Sequence, residues 1–397
     1  MKRMIIIALC LAATVLALAF VPAAALAADD DKTTIAVLTL SAQSLRGRTI
    51  EGLFDMLAYH GYVDSEEIAD FTQNEDFEGE HLDIIWRDAG FDLPTINIMV
   101  EEALDRGADI LITLTTNVTL TAVKASLESG IEPPPLVIFA IVTAPYSAGV
   151  AEAPCVKPSN VVGSHARVSY EDMVGLAPLL DPDVDLIGSF ATPARTATVI
   201  GVERIKGYAA ELGIEVETAS WVTAGDGVVG AETLIDKGVD MFVSIGYPES
   251  LPAIVEAANV SGIPIVTSTM SYLPTGAHVV SGFYSYYQEG QIIGRMLVAE
   301  LQGILEPERT AIHADTAVTI ALNLDSIAAG GIEIPDELME RADFVFENGE
   351  SSEEFLKPEY ADRSAEERME EVVGFLGSLH CTDEMIAEQR AALEADA

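Results

Sequence analysis

Twice along this chain, short runs of apolar and β-branched residues alternate with stretches whose apolar residues recur at helical spacing. That alternation restricts the fold more than any composition figure does. In the first round, TIAVLTL at 34–40, HLDIIW at 81–86, ADILITL at 108–114 and PLVIFAIV at 135–142 read as strands. The spacing of Ile50, Leu53, Phe54 and Leu57 predicts a helix between the first two, with Gly61 as its stop, and residues 64–80 read as an acid-rich surface loop. Helices are predicted at 94–106, closed by Gly107, and at 119–129. The second round places strands at 185–190, 214–221, 239–245 and 263–269, among helices at 170–180, 198–212, 228–237 and 250–260. Such alternation implies parallel sheets covered by helices on both faces and joined by right-handed crossovers. The length exceeds what one hydrophobic core usually holds, so the expected fold class is α/β, with two lobes, each a doubly wound parallel sheet.

The two ends stand apart from this pattern. Lys2 and Arg3 precede an apolar run over residues 4–20, and Ala25-Leu26-Ala27 fits the signal-peptidase rule, so residues 1–27 are expected to be a secretory signal peptide. Cys10 has no lipobox spacing ahead of it, and no later segment reaches the roughly 18 apolar residues of a membrane span, so a soluble periplasmic or extracytoplasmic product is expected. Residues 347–397 read as an acidic helical tail, with Met369, Val372, Val373 and Leu376 at helical spacing. Cys155 and Cys381 can pair in an oxidising compartment, although their spacing demands nothing.

Charge excludes whole classes of partner. With 64 acidic residues against 21 basic ones and a net charge of -43, the chain is expected to bind neither nucleic acid nor anionic membrane, both of which attract basic patches. Two readings of the acidity stay open. One is a strongly hydrated surface; the other is adaptation to concentrated salt, where a Debye length of about 3 Å at 1 M removes self-repulsion.

In open α/β sheets, ligands bind beyond the carboxyl ends of the strands, so the loops there hold the candidate site residues. These are Ser41, Thr115, Thr116, Asn117 and Thr143 from the first round, and Thr192, Tyr247 and Ser268 from the second. Each is also of a type or position that can serve ordinary capping or packing. Together they suit hydrogen bonding to a small solute, with helix N-termini favouring an anionic group. The run FYSYY at 283–287 offers aromatic rings, and alternation along a strand makes Tyr284 the candidate cleft wall. Tyr286 and Tyr287 read as packing residues, while Gly290 and Gly294, four apart on a helical face, read as a close helix approach. No G-x-S-x-G, H-E-x-x-H or P-loop motif occurs, and the 6 histidines are scattered without ligand spacing. No catalytic role, cofactor or metal is therefore expected.

Five passages, in order, carry a resemblance. They are Gly52-Leu53 with Gly61-Tyr62-Val63, the run at 108–113 leading to Thr116, NVSGIPIV at 259–266, Tyr286-Tyr287 followed by Gly290 and Gly294, and VTIALN at 318–323 with Ile334-Pro335 and residues 338–346. Through them residues 34–346 resemble the ABC transporter substrate-binding proteins, periplasmic binding proteins of the type I fold that include tryptophan and tyrosine binders. The resemblance implies two lobes joined by a three-strand hinge: an N-terminal lobe at 33–143, a C-terminal lobe at 144–280, a helix at 281–312 returning to the first lobe, and a final segment of the second at 313–346. It also implies a monomer that captures a small organic solute by hinge closure and delivers it to ABC permease subunits, with an aromatic amino acid among the candidates. Where many members carry an aspartate, this chain reads Gly246-Tyr247-Pro248, which keeps a carboxylate, a nucleoside-like compound or another neutral molecule open. A periplasmic sensor presenting its closed form to a receptor, and an enzyme on the same architecture, are the alternative functions.

Overall fold

The structure, a computed structural model, describes residues 32–41, 44–68, 74–283, 286–314, 319–351 and 360–396. The expected leader at 1–27 and the candidate Tyr284 lie outside the described residues. The first part of the chain runs β1 (Thr33–Thr39), α1 (Ser44–Tyr59), α2 (Ser65–Ile68), β2 (Asp76–Glu78), β3 (Leu82–Asp88), α3 (Leu93–Asp105), β4 (Ile110–Leu114), α4 (Thr116–Glu128), β5 (Leu136–Val142) and β6 (Val161–His165). The second runs α5 (Tyr170–Gly175), α6 (Ala177–Leu180), β7 (Leu186–Ala191), α7 (Thr196–Glu211), β8 (Glu215–Ser220), α8 (Ala224–Asp236), β9 (Met241–Val243), α9 (Leu251–Ser261), β10 (Ile265–Thr269) and β11 (Val279–Phe283). Then follow α10 (Tyr286–Leu301), β12 (His313–Ala314), β13 (Thr319–Asn323), α11 (Leu324–Gly330), α12 (Asp336–Arg341), β14 (Phe344–Glu347), β15 (Glu350–Ser351), α13 (Ala365–Ser378) and α14 (Asp383–Asp396).

The strands form two mostly parallel sheets, ordered β12-β6-β5-β4-β1-β3-β2 and β15-β14-β13-β11-β10-β9-β7-β8. Strand β1 shows why each needs two helical layers. Ile35 and Val37 pack with Leu53, Phe54, Ile293 and Leu297 on one face, whereas Ala36 and Leu38 pack with Met99, Val100, Val118 and Ala122 on the other. Side chains alternate across a strand, so an apolar residue at every position requires cover on both sides. The second sheet repeats the arrangement, with Ile187 and Val243 facing Met173 and Ile205, and Phe242 and Ile265 facing Leu234 and Ile254.

The sheets correct two expected boundaries. The first lobe does not end at residue 143, because β6 pairs in parallel with β5 and keeps the chain in the first sheet through His165. This strand was not legible because Gly163, Ser164 and His165 break the apolar run. The segment 313–346 also begins in the first sheet, where β12 pairs with β6, before β13 joins the second sheet antiparallel to β11. The chain thus passes between sheets three times: after β6, between β11 and α10, and between β12 and β13. One buried network ties the flanking elements, as Ser164 Oγ of β6 donates to Glu289 Oε1 of α10 at 3.1 Å and lies 3.3 Å from Nδ1 of His313 in β12.

The C-terminal tail is part of the first lobe's structure. Val372 of α13, with Leu379 and Cys381 just beyond it, lies in the same core cluster as Leu53 and Ile293. Tyr360 stacks on Tyr59 of α1 with ring centroids 4.6 Å apart. A disulfide joins Cys155, in the β5–β6 connection, to Cys381, and the Cys155 N–H donates to Gln389 Oε1 of α14 at 2.8 Å.

Buried histidines give the fold an acid sensitivity of calculable sign. In the second lobe, His278 Nδ1 accepts from the Ile265 N–H at 2.8 Å, so the ring proton sits on Nε2, 2.7 Å from Asn259 Oδ1. Burial holds this histidine down at about 4, and burial likewise holds His60 and His165 at about 4. Unfolded histidines titrate near 6.5, so on acidification the unfolded chain takes protons that the native state refuses. Stability is then lost as pH falls through 6.5 and continues to fall toward 4. Between pH 7 and 5.5 few carboxylates titrate, and His278 alone should cost on the order of 1 kcal/mol there. Urea melts at those two pH values should show a lower midpoint at 5.5; an unchanged or higher midpoint would refute the neutral assignment.

Candidate functional site

A cavity of about 60 Å³ lies where the carboxyl ends of both sheets' strands meet. From the first lobe it is lined by Leu40 beyond β1, by Thr115, Thr116 and Asn117 at the β4–α4 junction, and by Ile141 and Thr143 at the end of β5. The second lobe contributes Ala194 to Thr198 at the start of α7, Ile245 and Gly246 beyond β9, and Tyr272 beyond β10. Tyr286, the first residue of α10, completes the wall.

Each contribution has a local cause. Strand β4 is fully buried, so its end delivers Thr115 directly into the space between the lobes. Thr115 has φ 84 and Ile141 has φ 56, a region that β-branched residues rarely occupy and that costs about 1–3 kcal/mol each. At Ile141 the β5–β6 register also shifts. Two such residues in one cavity wall show that the surrounding packing fixes the wall's shape against the local backbone preference.

The polar groups in this wall are sparsely engaged. Thr115, Thr116 and Thr143 each have a buried Oγ1 without a hydrogen-bond partner, as has Nε of Arg195. Neither α4 nor α7 carries a side-chain N-cap, although the first turn of a helix has N–H groups with no partner inside it. Arg195 is the cationic side chain of the lining; its other end pairs with Glu249 at 2.9 Å and lies over the Phe91 ring at 4.8 Å. Beside the cavity, His165 donates from Nε2 to the Thr143 carbonyl at 3.2 Å, which places the single proton of a ring that burial keeps neutral. Among the described residues no cluster of three or more His, Cys, Asp or Glu is arranged to hold a metal ion.

Asn117 spans the two lobes. Its Nδ2 donates to the Ala194 carbonyl at 3.1 Å and its Oδ1 accepts from Thr196 Oγ1 at 2.7 Å. Arg195 over Phe91 is a second bridge of the same kind, since Phe91 belongs to the β3–α3 turn of the first lobe.

Of the residues singled out in the sequence, the structure brings Thr115, Thr116, Asn117 and Thr143 together at this cavity. Four others do not line it. Tyr247 is 1% exposed, packs its ring against Phe190 and Tyr272, and donates its hydroxyl to the Val266 carbonyl at 3.0 Å, which makes it core. Burial accordingly raises its phenol above the usual range. Ser41, Thr192 and Ser268 are buried at strand ends: the Ser41 N–H donates to Thr39 Oγ1, the Thr192 N–H to Thr198 Oγ1, and Ser268 Oγ lies 3.4 Å from Thr269 Oγ1. Sequence reasoning missed Arg195, Tyr272, Ile141 and Ile245. Arg195 carried a signal, a long cationic side chain in a post-strand loop otherwise made of small residues, whereas nothing local marked Ile141 or Ile245.

Comparison with known proteins accords with this architecture. The family model for ABC transporter substrate binding proteins matches residues 62–346. Among solved structures, a conserved domain protein from Vibrio cholerae is 22% identical with a TM-score of 0.69, covering 79% of this chain and 100% of its own. An ABC domain from Streptococcus pneumonia in complex with L-Trp is 21% identical with a TM-score of 0.67, covering 80% and 100%. The ligand-free, open structure of a substrate-binding protein with adhesive properties from Clostridium difficile is 21% identical with a TM-score of 0.54, covering 78% and 98%. Among curated protein sequences none matches.

Proposed function

The chain belongs to the ABC transporter substrate binding protein family, a class of non-catalytic solute binders, and from that premise we propose that it captures a small organic solute in the cavity between its lobes by hinge closure. Membership brings with it an extracytoplasmic role beside a cognate ABC importer. In our reading the leader at residues 1–27 directs export, the mature protein acts as a monomer, and the closed form is what the permease recognises. Ser41, Thr192 and Ser268 would then act from behind the wall formed by Thr115, Thr116, Asn117 and Thr143, Tyr247 supports the second lobe's core, and Tyr284 is proposed as a solute contact on the sequence reading alone. Aromatic amino acids are candidate solutes on the sequence resemblance, and the L-Trp carried by the pneumococcal relative keeps them in any screen.

The observation that carries this reading is the amide of Asn117, whose two hydrogen bonds to the opposite lobe exist only when the lobes are apposed. At about 0.5–1.5 kcal/mol each, their loss should disfavour the apposed form by about 1–3 kcal/mol. Asn117→Ala should therefore weaken the tightest-binding solute of a calorimetric screen roughly 5- to 150-fold. Unchanged affinity would remove Asn117 from the closure mechanism.

A further inference from the structure

We infer that Phe91 and Arg195 form an interlobe latch, a contact between protein groups alone that favours the apposed form whatever the chemistry of the solute. This rests on the hinge-closure reading above and deepens it by naming the residues that regulate closure.

The ring of Phe91 is presented by a turn that works against its own backbone preference. Between β3 and α3, Gly90 has φ 56 and Phe91 has φ 65, so two successive residues are left-handed. Glycine takes this conformation at little cost, whereas a phenylalanine rarely adopts it. Hydrogen bonds fix the turn: the Gly90 N–H donates to Asp88 Oδ1 at 2.6 Å, the Phe91 N–H to the Leu40 carbonyl at 2.8 Å, and the Asp92 N–H to the Ala89 carbonyl at 2.9 Å. Asp92 then caps α3, accepting from the Thr95 N–H at 3.0 Å. All of these bonds use main-chain atoms or the side chains of Asp88 and Asp92, so a glycine or asparagine at 91 would serve the turn with less strain. The strained residue therefore points to a demand on its side chain. That ring packs in part against the first lobe's cluster of Leu38 and Met99, and it also meets the second lobe.

Arg195, the residue before α7, is posed to receive it. Its side chain is 12% exposed, Nη2 pairs with Glu249 of its own lobe at 2.9 Å, and the guanidinium carbon lies 4.8 Å from the Phe91 ring centroid. A planar guanidinium can pair with a carboxylate and lie over a ring at once, and the attraction to the ring grows as water is excluded. The two residues beside Arg195 bridge as well: the Ala194 carbonyl accepts from Asn117 Nδ2, and Thr196 Oγ1 donates to Asn117 Oδ1. Residues 194, 195 and 196 thus each reach the first lobe, and Arg195 is the one whose contact is independent of Asn117. Because the contact favours the apposed form for any solute, its loss lowers every solute's affinity by a common factor and leaves the ranking of solutes unchanged.

Electron–electron distance measurements on the purified protein, with no solute added, test this. Spin labels at Ile98→Cys on α3 and Val229→Cys on α8, exposed positions on different lobes, report the interlobe separation, while Cys155 and Cys381 are bonded to each other and take no label. Phe91→Leu keeps an apolar side chain on the core and removes the ring, and Arg195→Gln removes the cation. Each should lower the ratio of apposed to separated molecules about 2- to 30-fold. The double variant should fall no further than the larger of the two, since both remove one contact. Phe91→Tyr, which keeps a ring for the cation, should hold the native ratio to within about 2-fold. A distance distribution that is the same in the native protein and in Arg195→Gln or Phe91→Leu overturns the latch. So does additive loss in the double variant, which would mean that each residue acts only within its own lobe. The distances need no solute, so an unmoved distribution counts against the latch alone, and a calorimetric screen without a binder counts against solute capture alone.

Discussion

Replacing Gly290 with alanine should destabilise the first lobe by about 3 kcal/mol, the upper end of the usual range for overpacking a rigid site. A Cβ at Gly290 would sit 2.0 Å from the Thr49 carbonyl oxygen and 2.8 Å from the Leu53 nitrogen, both backbone atoms of α1. The contact is reciprocal, since a Cβ on Gly52 would lie 2.1 Å from the Tyr287 carbonyl oxygen. Nothing flexible stands in the way to rotate aside, so α1 and α10 would have to separate and expose Leu53, Ile293 and Leu297. Gly207, on an exposed turn of α7, has nothing within 4 Å of its Cβ position, and Gly207→Ala should instead stabilise by up to about 1 kcal/mol. Urea melts of the two variants measure the contrast directly. Equal midpoints would mean that the helices are not held at this separation.

Loss of the Cys155–Cys381 disulfide should have an effect of similar size. The bridge closes a sequence separation of 226 residues, for which the loop-entropy relation gives about 5 kcal/mol, and measured removals of native disulfides cost about 2–5 kcal/mol. It fastens a tail that contributes Val372 and Leu379 to the first lobe's core and Tyr360 to a stack on α1. Reduction, or Cys155→Ser with Cys381→Ser, should therefore lower the urea midpoint of the first lobe, and the double variant should no longer respond to reductant. Truncation after residue 347 should act in the same direction, since it removes both the bridge and the packing. The lining of the cavity includes no residue of the tail, so solute binding should persist in the fraction that stays folded. A midpoint indifferent to reductant would show that the tail and lobe hold together by packing alone.

These two expectations mark what was and was not legible in the sequence. Continuous apolar runs such as 108–114 and 135–142 can bury both faces only in a covered parallel sheet, and they became β4 and β5 within one or two residues of the expected ends. Gly290 and Gly294 read as a close helix approach, and the structure identifies the neighbour as α1. Strand β6 was missed because its hydrogen-bonding partner, not its composition, makes it a strand. The tail's helical spacing marked Val372, but nothing local showed that it packs into the first lobe's core. That the polar residues following β4 and β5 line the cavity could be anticipated because strand ends in an open sheet point toward the crevice. Tyr247 was misplaced for a physical reason: in a tight post-strand turn, adjacent residues point to opposite sides, so Gly246 lines the cavity while Tyr247 turns into the core. The contributions of Tyr272 and Tyr286 depend on how two distant lobes meet, which no local pattern encodes.

The most direct test of the account is the thermal unfolding midpoint of the protein against a panel of amino acids, arylalkanoates, sugars and nucleosides, measured in parallel on Ala197→Trp. Ala197 lines the cavity from the first turn of α7, and an indole there exceeds its volume of about 60 Å³ and so would block it. Capture between the lobes predicts that one chemical class raises the midpoint of the native protein, by the equivalent of about 2.7 kcal/mol at 100 times the dissociation constant, and leaves the filled variant unmoved. A rise of equal size in both proteins would place the solute elsewhere and contradict the account.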